Sequence, residues 1–405
     1  MDEITRRVQR FYTDHPYPGT EWQIRADSFP ALLTSYVDRE PWPRTLQLLD
    51  AGCGTGAALI PIAAMNPEAR VVGVDVSVAS LEEAAAQARR QGTAHLELIQ
   101  ADLVDGATLS PLLEGSPGGF DVIWLSGVLH HTSDPIGVLR NLKRLLAPDG
   151  VLSVMVYSRY GRMPVDRFAR AVRLALPEAG LAERRAWARE VFAQLDYGPI
   201  LRAPFDTPLE APEAEFADRY LHPHARSYGV RELFEVLGEA GLRFLRWMEP
   251  RAWDPHAMLG EGPAADRLAA MPEQQRFEVL EQLFDHAALE LFACHPERAG
   301  RPRLPPESLP DAVVAWNPQA GLSSTERRFG EAVWREGYRA RLRAGPFETL
   351  EGVEAAVASA AEGPEPARTL AERAGARVNV SPEAALTGVA SLLERELLYR
   401  PSETI

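Results

Sequence analysis

The sequence predicts a doubly wound α/β fold, because short apolar runs alternate with helical patterns between residues 46 and 156. The runs TLQLLDAG, ARVVGVDV, HLELIQAD, FDVIWLSG and VLSVMVYS are typical of buried strands. Strands joined by helices of this length form right-handed crossovers, and therefore a parallel sheet that is covered on both faces. Two later runs, LRFLRWMEP and LELFACHP, are expected to complete a seven-stranded, mostly parallel sheet.

The chain is expected to divide into three parts. Residues 1–45 form an N-terminal helical segment that covers the ligand site, and residues 46–300 form the main domain, with a helical insertion at 157–228. Residues 301–405 begin with a Pro-rich linker and continue into three short helical patterns with a strand-like tail. This arrangement indicates a small winged-helix-like α+β module. A stripe on one helical face is expected there, made of Arg335, Arg339 and Arg343.

Composition and charge restrict the class of partner. The chain has 405 residues, 46% of them hydrophobic, and a formal net charge of -14. Phosphates and anionic lipid headgroups repel such a protein, so we expect neither nucleic acid nor a membrane as its main partner. The N-terminus is charged where a secretory signal is apolar, and Cys53 and Cys294 have no metal-ligand or redox spacing. These features predict a cytoplasmic location.

A glycine loop follows the first strand in the stretch LLDAGCGTGAALI. Its pattern Gly52-x-Gly54-x-x-Ala57, with Asp75 at the end of the second strand, fits the dinucleotide fingerprint and leaves a nicotinamide oxidoreductase open. Asp50 argues against that alternative, because a carboxylate beside a pyrophosphate costs on the order of 1–4 kcal/mol. A ligand with an ammonium and a sulfonium but no phosphate is attracted instead. S-adenosylmethionine is such a ligand.

Four motifs, LLDAGCGTG, VVGVDVS, IQADL and LAPDGVLSVMVYS, closely resemble the successive motifs of class I S-adenosylmethionine-dependent methyltransferases. The resemblance implies a Rossmann-like fold. It also implies that the glycine loop contacts the methionine part, the acid after the second strand the ribose, and the acid after the third strand the adenine. The cofactor-binding residues that it implies are Asp50, Gly52, Cys53, Gly54, Gly56, Asp75, Val76, Ala101, Asp102, Leu103 and Ser126.

Two aromatic or basic segments are expected to flank this cofactor. The segment LSGVLHHTSDP follows the fourth strand, and its His130 and His131 are candidate general bases because imidazole titrates near neutral pH. The N-terminal segment FYTDHPYPG contributes Tyr12 and Tyr17, whose ring faces attract a sulfonium. The turns HPYPG, SRYGRMP and RYLHPHARSYGV resemble those of a subset of bacterial class I methyltransferases.

The insertion supplies candidate substrate-binding residues, namely Tyr157, Tyr160, Arg162, His222, Arg226 and Tyr228. His222 and His224 form an HPH sequence, which is typical either of a metal pair or of a helix-start turn with solvent-facing histidines. We favour the turn and expect no metal, because no third ligand has suitable spacing.

These observations predict a methyltransferase whose acceptor is a hydroxyl, amine or carboxylate of a small or medium-sized organic molecule. One alternative is a methyltransferase-like binding module. Another is a peptide or protein methyltransferase whose C-terminal module recruits the substrate, since that module has no basic stripe for DNA. A homodimer is also compatible with the sequence.

Overall fold

The computed structural model describes most of the chain, in ten stretches: 1–18, 46–67, 69–93, 95–194, 212–298, 306–316, 320–329, 332–342, 348–394 and 397–399. These residues form two compact units. The first falls within Met1–Ile24, Pro43–Met248 and Asp266–Arg298, and the described residues of the second fall within Glu249–Ala265 and Ala299–Ile405. Among the described residues, no helix is both long enough and apolar enough to span a bilayer.

The first unit contains a seven-stranded sheet with the order β3-β2-β1-β4-β5-β7-β6. Strands β1 to β5 pair in parallel, and β7 runs antiparallel to both β5 and β6. The sequence prediction of a doubly wound, mostly parallel sheet is therefore confirmed. The strands are Gln47–Ala51 (β1), Arg70–Asp75 (β2), Leu96–Gln100 (β3), Phe120–Ser126 (β4), Leu146–Tyr157 (β5), Arg243–Trp247 (β6) and Ala288–Cys294 (β7).

The helices of the first unit cover this sheet and begin at residues that suit a helix N-terminus. The Ser77 hydroxyl caps one helix by accepting the Ser80 N–H at 3.3 Å, and Asp134 caps another by accepting the Gly137 N–H at 2.9 Å. The helices that lie wholly within the unit are Glu3–Asp14, Leu59–Met65, Val78–Arg90, Ser110–Gly115, Pro135–Leu145, Met163–Ala175, Leu181–Gln194, Glu213–Phe216, Val230–Glu239 and Glu273–Leu283.

The insertion between β5 and the helix Val230–Glu239 has its own small core. Val172 and Phe216 are fully buried in this core, and Phe168 and Tyr220 are nearly so. The helix Glu213–Phe216 continues into a π-helical turn, Ala217–Leu221. A π-turn is rare and is often found at functional sites, because it changes the direction in which side chains project.

The second unit contains three helices, Gly352–Ala360, Ala367–Val378 and Pro382–Glu394, around a core that includes Val357, Leu370 and Val389. The short helices Pro250–Trp253 (3-10) and Pro255–Leu259 also belong to it, and Pro263–Ala269 crosses the boundary between the units. The remaining elements are a 3-10 turn and six strands: Pro306–Asp311, Val313–Trp316 (β8), Ala320–Phe329 (β9), Ala332–Leu342 (β10), Glu348–Leu350 (β11), Glu365–Pro366 (β12) and Leu398–Tyr399 (β13).

The helical arginine stripe expected in the second unit is wrong. Arg335 and Arg339 lie in strand β10, which pairs antiparallel with β9, and Arg343 lies outside the described residues. A spacing of four residues is compatible with one face of a strand as well as with one face of a helix, so the charge pattern alone did not decide between them.

We expect Leu142→Ala to lower the free energy of unfolding by about 2–5 kcal/mol, because it removes a fully buried side chain from the helix Pro135–Leu145. Leu174→Ala is the matched control, since Leu174 is also helical but 72% exposed. Its effect is expected to stay within about 0.5 kcal/mol. Urea denaturation of both variants measures the difference, and equal losses would contradict this account of the core.

Candidate active site

The glycine loop turns sharply at the carboxyl end of β1. Gly52, Gly54 and Gly56 have φ of +93°, +52° and +85°, a region that favours glycine. A Cβ on Gly52 would lie 2.3 Å from Val128 Cγ2, and one on Gly54 would lie 2.4 Å from the Tyr17 carbonyl oxygen. Glycine is therefore required here both by the backbone conformation and by the close approach of neighbouring chain segments.

Asp75 holds this loop at the end of β2. One carboxylate oxygen accepts the Gly54 N–H at 2.9 Å, and the other accepts the Ser77 N–H at 2.8 Å. Asp50, at the end of β1, is buried, and its Oδ2 has no hydrogen-bond partner within the described residues. Burial, together with the negative charge of Asp75, raises the pKa of Asp50 to about 8. Two adjacent buried acids favour a cationic ligand.

The end of β3 supplies a third acid. Asp102 Oδ1 accepts the Val104 N–H at 2.9 Å, whereas its buried Oδ2 has no partner among the described residues. Burial raises the pKa of this carboxyl group as well. The Ala101 N–H bonds to the Asp75 carbonyl at 3.1 Å, so the ends of β2 and β3 are tied together. Leu103 is buried, and its carbonyl accepts the Asn141 side-chain amide at 3.0 Å.

The N-terminal segment lies against these loops. Gln9 Nε2 donates to the Val76 carbonyl at 2.9 Å, and the Thr55 hydroxyl donates to the Pro18 carbonyl at 2.6 Å. The Tyr17 carbonyl accepts the Thr55 N–H at 3.3 Å, which brings Tyr17 beside the glycine loop. Cys53 is buried within the loop, and Ser126 is half-buried at the end of β4.

A group of stacked aromatic and imidazole rings lies next to the end of β4. His130 and His131 occupy a 3-10 turn, Leu129–His131, and both are buried. The His130 ring stacks on Tyr157 with centroids 3.7 Å apart, and the His131 ring lies 3.6 Å from that of His222. The histidine pair from the fourth strand is thus joined to residues of β5 and of the insertion.

Asp218 lies at the centre of this group, although the sequence analysis did not identify it. It is carried by the π-helical turn and is buried. Tyr12 Oη donates to one of its carboxylate oxygens at 2.7 Å, and Tyr157 Oη to the other at 3.2 Å. One nitrogen each of His131 and His222 and one oxygen of Asp218 all lie within 4.8 Å of one another. A single acid in a helical insertion carries no spacing signal, so no local pattern predicts that Asp218 lies here. We call Tyr12, His131, Tyr157, Asp218 and His222 the His–Asp cluster.

Burial sets the protonation states in the His–Asp cluster. It lowers the pKa of His131 to about 4, an effect that the Asp218 charge partly opposes. Burial also lowers the pKa of His130 and His222 well below the ordinary value. The pKa values of Tyr12 and Tyr157 are raised by burial and by the Asp218 charge, so both phenols stay protonated and act as donors. At neutral pH the imidazoles are therefore uncharged.

Some of the predicted substrate residues adjoin the cluster, and others do not. The buried Arg162 guanidinium lies 3.4 Å from the centre of the Tyr157 ring, and it pairs with Asp166 at 3.3 Å. The other three predicted substrate residues do not belong to the His–Asp cluster. Tyr160 lines an open groove on the surface, Arg226 pairs with Glu232, and the buried Tyr228 donates its N–H to the Tyr157 carbonyl at 2.8 Å.

The expectation that the HPH histidines face solvent is wrong for His222, which is only 4% exposed. Spacing along the chain does not predict its neighbours His131 and Asp218, because they reach His222 from other parts of the chain. The hydroxyl of Tyr12, a residue expected at the cofactor, donates to Asp218, and its contact with the cofactor stays a prediction.

Three comparisons bear on the family. A methyltransferase-domain family model matches residues 49–152. An uncharacterized protein of Synechococcus, syc1184_c, is 32% identical over 299 residues, which cover 70% of this chain and 69% of that protein. A trans-aconitate 2-methyltransferase of Methylobacterium radiotolerans is 36% identical over 165 residues, which cover 38% of this chain and 58% of that enzyme.

A solved structure shows the same fold. The structure of PKMT2 from Rickettsia typhi in complex with AdoHcy has a TM-score of 0.69 to this chain, at 17% identity, and covers 95% of this chain and 78% of that one. Residues 49–152 are those of a methyltransferase domain, the chain has the class I methyltransferase fold, and it belongs to one family with the Synechococcus protein. The cofactor of this chain is S-adenosylmethionine. The unpartnered Asp50 and Asp102 oxygens and the crowded glycines fit that molecule, because it carries an ammonium, a sulfonium and an adenine amino group but no phosphate.

In this methyltransferase, we expect Gly54→Ala to weaken binding of S-adenosylhomocysteine by more than about tenfold, because the new Cβ must displace the Tyr17 carbonyl. Gly92→Ala is the matched control. Gly92 also has a positive φ, +73°, but open space around it, so it carries the backbone strain of about 1–2 kcal/mol without the clash. Calorimetric titration of both variants tests this, and equal affinities would contradict it.

The contribution of Asp50 to the stability of the methyltransferase without cofactor should fall as the pH rises from about 4 to about 8, because folding raises the pKa of Asp50 from 3.8 to about 8. In that interval the folded protein holds a proton that the unfolded chain has released. Asp50→Asn removes this penalty, so the variant should be more stable than the parent at pH 8 by an amount on the order of a few kcal/mol, and similar to it near pH 4.

Thermal denaturation at both pH values measures the difference between the Asp50→Asn variant and the parent. The same variant should bind S-adenosylmethionine more weakly, because the cationic ligand loses its carboxylate partner. A constant stability difference at all pH values would show that Asp50 is not the titrating group.

Proposed function

We propose that this protein transfers the methyl group of S-adenosylmethionine to a small or medium-sized organic acceptor that binds at the His–Asp cluster. The observation that carries the proposal is the direct contact between the two sites. Val128, which precedes the turn Leu129–His131, packs against Gly52 of the cofactor loop so closely that a Cβ there would lie 2.3 Å away. β1 and β4 are neighbours in the sheet, with Asp50 opposite Trp124, so both sites lie at one edge.

The charge of the His–Asp cluster narrows the class of acceptor. Asp218 is buried, and the uncharged hydroxyls of Tyr12 and Tyr157 donate to its carboxylate. A carboxylate acceptor would be repelled by it, whereas a hydroxyl or an amine would not. The aromatic rings of Tyr12 and Tyr157 supply apolar surface around the carboxylate, which suits an organic molecule better than a phosphate backbone.

The chain's own residues have three roles in this proposal. Asp50, Asp75 and Asp102 bind the cofactor, which supplies an activated methyl group. The His–Asp cluster orients the acceptor and receives its proton. The helix Glu3–Asp14 and the segment that follows it cover both regions and exclude water, since Gln9 bonds to the Val76 carbonyl and Tyr12 to Asp218. Methyl transfer is an in-line displacement, so most of the catalysis comes from this positioning.

Other sequence predictions stay predictions. They include the winged-helix-like character of the C-terminal module, recruitment of a peptide or protein through it, a homodimer and a cytoplasmic location.

We expect Asp75→Ala to weaken binding of S-adenosylhomocysteine by about 1–3 kcal/mol, because the glycine loop and the ribose lose charge-assisted hydrogen bonds. Asp149→Ala is the control, since Asp149 is exposed and lies near the opposite edge of the sheet. Calorimetry measures both affinities. An unchanged affinity in a folded Asp75→Ala protein would remove Asp75 from the cofactor site.

The acceptor class is tested with S-adenosylmethionine that carries a radioactive methyl group, incubated with the protein and a bacterial cell extract. We expect label in the small-molecule fraction, and less of it when the Asp75→Ala variant replaces the parent at a subsaturating concentration of S-adenosylmethionine. Label only in the protein or nucleic-acid fraction would overturn the proposal of a small-molecule acceptor.

A further inference from the structure

The backbone N–H and carbonyl of one residue, His224, control the protonation pattern of His131 and His222. His131 Nδ1 lies 2.8 Å from the His224 carbonyl oxygen. A carbonyl can only accept, so His131 Nδ1 carries a hydrogen. The His224 backbone N–H, in turn, donates to His222 Nδ1 at 3.1 Å, so that nitrogen carries a lone pair. The backbone of His224 thus fixes opposite tautomers in the two rings.

These tautomers determine the chemistry of the other nitrogen in each ring. Because both imidazoles are uncharged, His131 Nε2 is left with a lone pair and His222 Nε2 with a hydrogen. Both Nε2 atoms are buried and have no hydrogen-bond partner among the described residues. A buried polar atom without a partner is costly, so a free acceptor and a free donor side by side indicate a ligand that satisfies both.

We propose that this pair recognises a hydroxyl group of the methyl acceptor, with His131 Nε2 as the base and His222 Nε2–H as the positioning donor. The inference rests on the proposed methyl-transfer function and narrows its acceptor to an alcohol or a phenol. The hydroxyl donates its hydrogen to His131 and accepts one from His222. Oxygen has two lone pairs, so one lone pair is still available to attack the methyl carbon.

The acceptor must give a proton to His131, and it needs one lone pair to accept from His222 and another to attack the methyl group. These conditions disfavour the other acceptors. A neutral amine has one lone pair, which cannot both accept from His222 and attack the methyl group. A carboxylate has no proton to give His131 and is repelled by Asp218. A thiol has suitable connectivity, but sulfur is a weak hydrogen-bond acceptor, so the His222 donor would stay poorly satisfied.

A metal ion is disfavoured by the His222 tautomer. His131, His222 and Asp218 have the composition of a two-histidine, one-carboxylate site, and their polar atoms lie close enough together. A histidine ligates a metal through a lone pair, however, and His222 Nε2 carries a hydrogen for as long as Nδ1 accepts the His224 N–H. The cluster therefore suits a small protic group better than a cation.

The proposed step conserves both the proton and the net charge. The new C–O bond forms as the C–S bond breaks, its electron pair stays on sulfur, and the hydroxyl proton moves to His131 Nε2. One positive charge is lost at sulfur and one is gained at His131, so the net charge of the site is conserved. Asp218 stabilises the imidazolium, and the Tyr12 and Tyr157 hydroxyls hold its carboxylate in place.

The tautomers are tested directly by NMR on protein with ¹⁵N-labelled histidine at neutral pH, which needs no acceptor. We expect His131 in the Nδ1–H form and His222 in the Nε2–H form. His224→Ala should leave both unchanged, because the backbone makes both bonds. The opposite tautomer at either ring would overturn the proposal, as would a titration with Zn²⁺ that showed tight binding and perturbed both rings.

Variants of His222 test the positioning role. His222→Phe keeps a ring in the stack but removes the donor, so kcat/KM for methyl transfer to the small-molecule fraction should fall roughly 10- to 100-fold. His222→Gln restores an N–H and should recover most of the loss, whereas a structural role for the ring predicts the reverse order. Affinity for S-adenosylhomocysteine should stay unchanged in both, and His224→Ala should retain parental activity.

The chemistry of the labelled product tests the hydroxyl. A methyl ether resists alkaline hydrolysis and is not held by a cation exchanger, a methyl ester releases labelled methanol in base, and a methylamine is held by the exchanger. We expect the first behaviour, and a labelled ester or amine would overturn this inference while leaving the methyl-transfer function intact. An absence of small-molecule label would count against the proposed function instead, and the NMR result would still decide the tautomer pair.

Discussion

The burial of Asp50 beside Asp75 is the constraint on which the cofactor site depends. Desolvation is the main cost of the buried Asp50 carboxylate, and the negative charge of Asp75 adds to it. Asp75 is stabilised by the backbone N–H groups of Gly54 and Ser77. Asp50 has no such compensation at Oδ2 within the described residues, and its raised pKa is the consequence. The ligand-free fold therefore keeps a proton on Asp50 near neutral pH, and a cationic cofactor favours its release.

The glycine loop follows from the same arrangement. For Asp75 to reach the Gly54 N–H, the chain must turn within a few residues of β1, and this requires positive φ at three glycines. The turn also brings Gly52 against Val128, so the glycine loop and the turn that carries His130 and His131 are packed together. A change in one of them would be transmitted to the other through van der Waals contact rather than through a flexible linker.

Asp218 has a comparable role in the second half of the site. Its carboxylate joins the N-terminal helix, β5 and the insertion, through Tyr12 and Tyr157, which are 206 and 61 residues away along the chain. The π-helical turn directs this side chain inward, and the histidines beside it remain uncharged because the surroundings are dry. An uncharged imidazole next to a buried carboxylate can receive a proton without creating a new unpaired charge, which is the condition for a base in a water-excluded site.

The sequence by itself determined the parallel sheet, the glycine loop and the acids at the strand ends, because these depend on local periodicity, on glycine backbone freedom and on the rule that parallel strands end at one edge. It also indicated His130, His131, Tyr157 and His222 as residues near the reaction.

Only the tertiary structure decided that Asp218 lies among them, that His222 is buried, and that Tyr12 bonds to Asp218. Contacts across 61 to 206 residues depend on how the insertion packs against β5 and the N-terminal helix, and no local pattern encodes that packing. The tautomers of His131 and His222 were equally beyond the sequence, because they are fixed by the backbone carbonyl and N–H of His224.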